Sequence, residues 1–290
     1  MERYKVVGNS DTLTKEEWLA LRGIGGSTVS TILGFNDFQS PYELWWNMTN
    51  NVEPDVDNEF TRWGKLMEPM LLEWFRGEIA LIEPDMTVQR NPSVMQSAEY
   101  PFLTANIDGE CYCEKDGWGV VEIKTTSAYS KYFEDDTIPD GYYCQIQFYM
   151  CMMGRNYGYM VWLKDKKPGY QRVERNEEFI QAMIAKAVEF WKVNVLLGIP
   201  PEMTGLKSEE ELLLERYAVS DPTKLIEAPE MEPTVMELKL LKEQIKGMEK
   251  EQAKLENELK FVMGDAEVLI AGEHRVTWRT SSNGRRTFKV

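Results

Sequence analysis

The sequence predicts an α/β protein with a helical arm toward its C-terminal end. Three features of the 290-residue chain carry that expectation. Residues 103–124 read as two strands joined by a turn. Residues 58–80 repeat large apolar side chains at helical spacing, and residues 142–153 are apolar nearly all round. From Leu238 onward the apolar spacing becomes three-four, the pattern of a heptad seam.

In chain order, residues 14–33 read as helix, glycine break and helix. Lys15 to Leu19 starts the first helix, Arg22-Gly23-Ile24-Gly25-Gly26-Ser27 is the break, and Ser27 is placed to cap a helix from Thr28 to Leu33. A glycine-rich turn with a serine and an arginine beside a helix start suits a phosphate group, and it equally suits a plain helix-turn-helix corner. Ser40-Pro41 opens another helix, with serine as cap and proline in its first turn. The helix over 58–80 carries Phe60, Trp63, Met67, Met70, Leu71, Trp74 and Phe75, and it contains Gly64-x-x-x-Glu68-Pro69. A proline inside a helix removes one backbone bond. Glu68 beside it is read either as an acidic group turned toward a cleft or as an exposed glutamate at a tolerated kink.

Strands are expected within 86–98, and then comes the hairpin. Its first strand, Leu103 to Cys113, delivers Asp108. The turn is Glu114-Lys115-Asp116-Gly117, and the second strand, Trp118 to Lys124, ends in Glu122-Ile123-Lys124. Side chains alternate along a strand, so Glu122 and Lys124 share one face while Ile123 takes the other. An antiparallel pairing brings Asp108 close to Glu122. Two converging carboxylates suit a hard divalent cation such as Mg²⁺, with Lys124 beside them to hold a water or steady negative charge. Taken alone, the hairpin also fits an Asp-Gly turn with a solvated strand edge.

A short helix over 128–134 and a loop at 138–141 lead into the buried helix 142–153, where Gln145 and Gln147 stand out as polar. Gln145 is read as reaching the cleft, or as an amide satisfied within the core. Strands over 157–163 and 170–174 and an amphipathic helix over 176–197 complete a core domain, residues 1–200. Residues 201–233, acidic and broken by prolines, read as an extended connector. Residues 234–290 read as a heptad helix (Leu238, Leu241, Ile245, Met248, Gln252, Leu255, Leu259, Val262) followed by short strands with a basic end. The helix suits a coiled coil between chains or an arm docked on its own domain. The basic end, Arg279, Arg285, Arg286 and Lys289, suits DNA or acidic neighbours.

Composition narrows the function. A formal net charge of −15 argues against non-specific coating of nucleic acid, though not against an enzyme with a basic cleft. A single histidine, His274, speaks against paired-histidine metal chemistry, and the lack of GxxxxGK[ST] against a built-in P-loop ATPase. No apolar run is long enough to span a bilayer, and the first residues lack a signal-peptide apolar region; a cytoplasmic protein with reduced cysteines is expected. Cys111, Cys113, Cys144 and Cys151 match no iron–sulfur spacing and read as small core residues.

Together, Arg22-Gly23-Ile24-Gly25-Gly26-Ser27, Gly64-x-x-x-Glu68-Pro69, Asp108, Glu122-x-Lys124 and Gln145-x-Gln147 occur in the order seen in one family. The chain resembles the YqaJ-type viral recombinase exonucleases, relatives of lambda exonuclease within the PD-(D/E)XK nuclease superfamily, over about residues 19–163. The resemblance implies a central mixed sheet flanked by helices. It implies Mg²⁺ or Mn²⁺ held by Asp108, Glu122 and the Ile123 carbonyl, with Lys124 aligning the attacking water, Gln145 supporting it and Glu68 as an outer acidic group. It places Arg22 and Ser27 in a pocket for the 5′-phosphate of a DNA end, with Gln147 as a further DNA contact. Double-stranded DNA with free ends would be the substrate. A ring-shaped trimer and a single-strand annealing protein would be the partners, with neither ATP nor a membrane involved. A restriction-type endonuclease and a catalytically idle DNA-binding or assembly protein are the competing readings.

Overall fold

A computed structural model of the chain describes residues 3–290 except 22, 51, 53–57, 129 and 283, so Arg22 lies outside the described residues. The chain divides into two units, Met1–Ala218 and Val219–Val290. The first opens with strand β1 (Tyr4–Asn9) and the short helices α1 (Lys15–Ala20) and α2 (Gly26–Ile32). Thr14 and Glu17 cap α1 reciprocally, each side chain bonded to the other's backbone amide. Helix α3 (Pro41–Thr49) starts as its sequence predicts, with Ser40 as cap and proline in the first turn. Asn58 caps the long helix α4 (Glu59–Ile82). Strands β2 (Thr87–Arg90), β3 (Ser93–Ser97), β4 (Thr104–Asn106), β5 (Gly109–Cys113) and β6 (Gly117–Thr126) follow. Helix α5 (Asp140–Met153), strands β7 (Tyr157–Lys164) and β8 (Lys167–Glu174) and helix α6 (Glu177–Glu189) come next.

The organising element is a five-stranded sheet in the order β2-β5-β6-β7-β8. Only β6 and β7 run parallel, and α5 makes the crossover between them. Alternation along β6 divides the core. Val120 joins Ile146 and Met150 of α5, together with Met160 and Trp162, on one face. Val121 and Ile123 join Leu71, Leu72, Phe75 and Ile79 of α4 on the other. This is the mixed sheet flanked by helices that the sequence resemblance implied. A smaller three-stranded sheet, β1-β3-β4, is antiparallel throughout.

Three local expectations are corrected. The single strand expected over 103–113 is two strands in different sheets, β4 on β3 and β5 between β2 and β6; the chain changes sheet at Ile107-Asp108 because Ile107 turns into the core. The described residues of 128–134 form no helix. Phe133, at φ 55°, buries its ring flat against Trp162 (4.7 Å) and Tyr142 (5.7 Å), a conformation no helix permits, and only a 3₁₀ turn at Glu134–Asp136 follows. The connector expected over 201–233 contains helix α7 (Lys207–Arg216). Its buried Glu209 accepts from the amides of Thr204 and Gly205, and Arg216 donates to the Tyr42 hydroxyl at 2.7 Å while lying over Trp46. The first unit therefore continues to Ala218.

Helix α6 runs on as a π-helical stretch, Phe190–Leu196. There Trp191 stacks on Phe102 at 4.8 Å, and the Asn194 carbonyl accepts from the Trp45 indole. In the second unit, helix α8 (Glu232–Met263) carries the heptad positions, and Leu238, Leu241, Ile245, Met248 and Leu255 are exposed along it. Strands β9 (Val268–Ala271), β10 (His274–Thr280) and β11 (Arg286–Lys289) form an antiparallel sheet. Arg286 in the basic end donates to the carbonyls of Gly264, Ala266 and Trp278, so it closes the end of α8 rather than projecting outward.

The segment before α2 is tied to the loop before β4: the Ile24 amide donates to the Phe102 carbonyl (2.8 Å), and the Thr104 amide to the Ile24 carbonyl (3.0 Å). A Cβ on Gly23 would stand 2.1 Å from that same Phe102 oxygen. Gly23→Ala is therefore expected to destabilise the protein by about 2–3 kcal/mol, as overpacking against backbone does. A urea melt in which the variant unfolds at the wild-type midpoint would refute the packing account.

Candidate active site

Strand β6 is flanked on both sides within the sheet, so its centre is the driest place to put a charge. Glu122 stands there with 2% of its surface exposed. Pairing of Gly109 with Val121 sets Asp108, one residue earlier, alongside Glu122, and Asp108 Oδ2 accepts from the Ile123 amide at 2.7 Å. Lys124, two residues on and thus on the same face as Glu122, donates from Nζ to Glu122 Oε1 at 2.7 Å. Its ammonium also lies over the Tyr142 ring, 5.2 Å from the centroid. From the facing helix α5, Gln145 donates from Nε2 to the same Oε1 at 2.7 Å and to the Tyr149 hydroxyl at 3.0 Å.

Glu122 is thereby satisfied on one oxygen only. Oε2 is buried and has no hydrogen-bond partner. Such an atom forfeits its hydration unless it shares a proton with the neighbouring Asp108 carboxylate or meets something outside the chain. Burial, followed by the negative charge of Asp108, pushes the Glu122 carboxyl up to about 8 against the pull of Lys124. Burial raises Asp108 too, opposed by Lys124 and by the Ile123 amide. For Lys124 burial opposes the charge, but Glu122 and Asp108 outweigh it and hold the ammonium charged.

On the α4 side a cavity of about 620 Å³ opens onto Asp108 and Ile123, lined also by Lys65, Glu68, Asn106 and Arg90. Burial raises the Glu68 carboxyl, and the charge of Asp108 adds to it, so Glu68 does face the site. Pro69, which also lines the cavity, cannot donate to the Lys65 carbonyl one turn back. Arg90 donates to Asp11 from both terminal guanidinium nitrogens, Nη1 and Nη2, at 2.5 Å. Among the described residues, no three His, Cys, Asp or Glu side chains converge as metal ligands. Glu68 acts on the site by charge, and the oxygens that fit a hard cation are the Asp108 and Glu122 carboxylates, the orphaned Oε2 above all, together with a β6 backbone carbonyl.

Two expected contacts lie elsewhere. Gln147 is fully buried, two residues from Gln145 and so on the opposite face of α5; its Nε2 donates to the Glu174 carbonyl and its Oε1 accepts from the Asn176 amide. It pins the β8–α6 junction and is not open to DNA. Ser27 does not cap α2. The helix starts earlier, at Gly26, and Thr28 folds its hydroxyl back onto the Gly25 amide (2.7 Å), leaving Ser27 exposed in the first turn. Residues the sequence reading missed are Arg90, Tyr142 and Tyr149. Tyr149 had a signal, since it stands one turn beyond Gln145 on the same helix face.

The YqaJ-like viral recombinase domain matches residues 17–156, a span that contains every site residue described above except Asp11. The uncharacterized protein YqaJ of Bacillus subtilis (strain 168) is 32% identical over 292 aligned residues, covering 98% of this chain and 89% of that protein. The chain belongs to the YqaJ family. Among solved structures, an alkaline exonuclease (LHK-Exo) from Laribacter hongkongensis is 18% identical, with 70% of this chain and 98% of that one covered, at a TM-score of 0.47. A phage-related exonuclease from Haemophilus somnus 129PT is 12% identical, with 61% and 98% covered, at 0.42. The YqaJ relationship extends past the matched domain, because an alignment over 98% of the chain takes in α8 and the strands after it.

The raised Glu122 carboxyl predicts a pH-dependent stability for this YqaJ-family protein. Folded Glu122 holds a proton that the unfolded chain releases near its ordinary carboxylate value, so folding binds a proton and stability falls as pH rises. In EDTA the thermal midpoint is expected to fall between about pH 5 and pH 8. Glu122→Gln should flatten that fall. Identical pH slopes for the two proteins in scanning calorimetry would contradict the assignment.

Proposed function

We propose that this YqaJ-family protein is a Mg²⁺-dependent exonuclease, also able to use Mn²⁺, that hydrolyses one strand of linear double-stranded DNA from its 5′-phosphate end. The product would be a duplex with 3′ single-stranded overhangs for phage-type recombination, in keeping with the recombinase description of its family. The observation that carries the reading is the buried constellation of Asp108, Glu122 and Lys124, in which Glu122 Oε2 has no partner.

Asp108, Glu122 and the Ile123 carbonyl would hold the cation, which would supply a water of lowered pKa and offset charge on the phosphate. The chain supplies the rest. Gln145 and Lys124 fix Glu122 by its Oε1, so that Oε2 is the oxygen on offer. Lys124 stays charged and spends one N–H on Glu122, leaving others for a water or a phosphate oxygen. Glu68 adds negative charge at the cavity wall, which favours a cation there. A covalent nucleophile is not supported: the first unit contains no histidine, and burial pushes the Cys111 and Cys144 thiols up to about 11 and 12, far from thiolate.

Ser27, exposed and not spent on capping α2, is assigned with Arg22 to the 5′-phosphate. A homotrimer, a single-strand annealing partner and a cytoplasmic setting without ATP complete the proposal. Among the described residues no helix is long and apolar enough to cross a membrane.

The test is release of nucleotides from linear duplex DNA with 5′-phosphate or 5′-hydroxyl ends, in Mg²⁺ or EDTA. Digestion is expected only with Mg²⁺ and faster from 5′-phosphate ends. Lys124→Ala should lower the rate by about 10²–10³-fold, the usual loss of a group that stabilises developing charge. Cutting of closed circular DNA would favour an endonuclease instead, and inertness of the folded wild type would leave only a binding role.

A further inference from the structure

The amide of Gln145 has two hydrogens on Nε2, and both are committed. One goes to Glu122 Oε1 at 2.7 Å and the other to the Tyr149 hydroxyl at 3.0 Å. Gln145 and Tyr149 are each only 6% exposed, so water does not compete for these bonds. An amide has two faces related by a half-turn, and the wrong one would set Gln145 Oε1 against the carboxylate. With Glu122 alone as acceptor, one hydrogen bond decides between them. The Tyr149 hydroxyl, able to donate as well as accept, does not choose the face; by taking the second hydrogen it holds the amide in the position from which the other reaches Glu122.

The glycine motif bears on the same pair. A Cβ on Gly26 would lie 2.7 Å from Tyr149 Cζ, 2.8 Å from its Cε1 and 2.8 Å from Gln145 Cγ. Gly26 begins α2, and α2 packs directly on α5. Its missing side chain is the room in which Tyr149 and Gln145 sit.

We propose that Tyr149 is a positioning residue of the hydrolytic site, orienting Gln145 so that Gln145 holds Glu122 by Oε1 and leaves Oε2 free, and that Gly26 is glycine to admit this pair. The inference rests on the preceding reading of Glu122 as a cation ligand, but its first step, orientation of Gln145, is independent of it.

The experiment compares wild type, Tyr149→Phe, Gln145→Ala and the double variant, each checked for wild-type far-UV circular dichroism. In EDTA, the Gln145 side-chain amide of glutamine-¹⁵N-labelled protein is observed by NMR. Slow hydrogen exchange is expected in the wild type and faster exchange in Tyr149→Phe. Mg²⁺ affinity by calorimetry is expected to weaken by about tenfold or more in Tyr149→Phe, the usual effect of removing a partner behind a ligand. In the Gln145→Ala background, Tyr149→Phe should cause no further loss. Wild-type amide exchange in Tyr149→Phe would overturn the proposal, and so would an equal loss of affinity in both backgrounds. If the wild type binds no Mg²⁺ or Mn²⁺ and releases no nucleotides, the nuclease reading fails, and the amide exchange alone decides whether Tyr149 orients Gln145. Gly26→Ala gives a second route, with the Tyr149 hydroxyl retained: it should speed Gln145 amide exchange as Tyr149→Phe does, and unchanged exchange in a folded Gly26→Ala protein would remove Gly26 from the proposal.

Discussion

Burial of a carboxylate in the middle of a sheet is the constraint to which the first unit answers. Glu122 lies on β6, one of the two strands paired in parallel, under helix α5, where solvent cannot repay its lost hydration. Each group around it offsets part of that penalty. Lys124 brings charge, Gln145 brings a neutral donor, and Asp108 is kept at hand by the Ile123 amide even though its charge opposes that of Glu122. A fully compensated Glu122 would be a structural ion pair and no more. Here Oε2 is left without a partner, and that is the oxygen at which the proposed reading places the cation.

Alternation is also why this cluster could be read from the sequence. A strand with Val120, Val121 and Ile123 around Glu122 and Lys124 has one plausible arrangement, because its apolar residues already fill both faces. Gln145 was legible for a related reason, as a polar side chain in a helix with no polar face. The same signal misled at Gln147, since being polar in an apolar helix does not say which side is meant. About half a turn of the helix separates the amide that bonds Glu122 from one that pins backbone at a loop. Ser27 failed as a cap because the helix begins earlier, with Gly25 at the N-cap and Thr28 accepting from the Gly25 amide. Phe133 and the strand break at Asp108 depend on tertiary neighbours, Trp162 and the second sheet, which no local pattern contains. Tyr149 is the instructive omission: a tyrosine in a buried helix looks like bulk, and only its hydroxyl, bonded one turn back along α5, shows otherwise.

Glycine plays two parts in the loop before α2, and neither needs an unusual backbone angle. Gly23 lets the chain lie against the Phe102 carbonyl, and Gly26 lets α2 settle onto Tyr149 and Gln145. A glycine-rich stretch at a helix start is easily taken for an anion cradle. Here close approach accounts for these two glycines, and any role in binding phosphate falls to the side chains beside them.

The π-helical stretch after α6 ties chain length to this arrangement. Its wide turn sets Trp191 flat on Phe102, and the carbonyl of Phe102 is what receives the Ile24 amide within the glycine loop. A π turn holds one residue more than an α turn accommodates. Deleting one residue between Trp191 and Asn194 would change the spacing that sets the Trp191 ring on Phe102 and the Asn194 carbonyl at the Trp45 indole. In evolutionary terms, then, residues 190–196 should drift in identity at their exposed positions yet resist insertion and deletion, because the spacing of Trp191 and Asn194 serves two contacts far away in the chain.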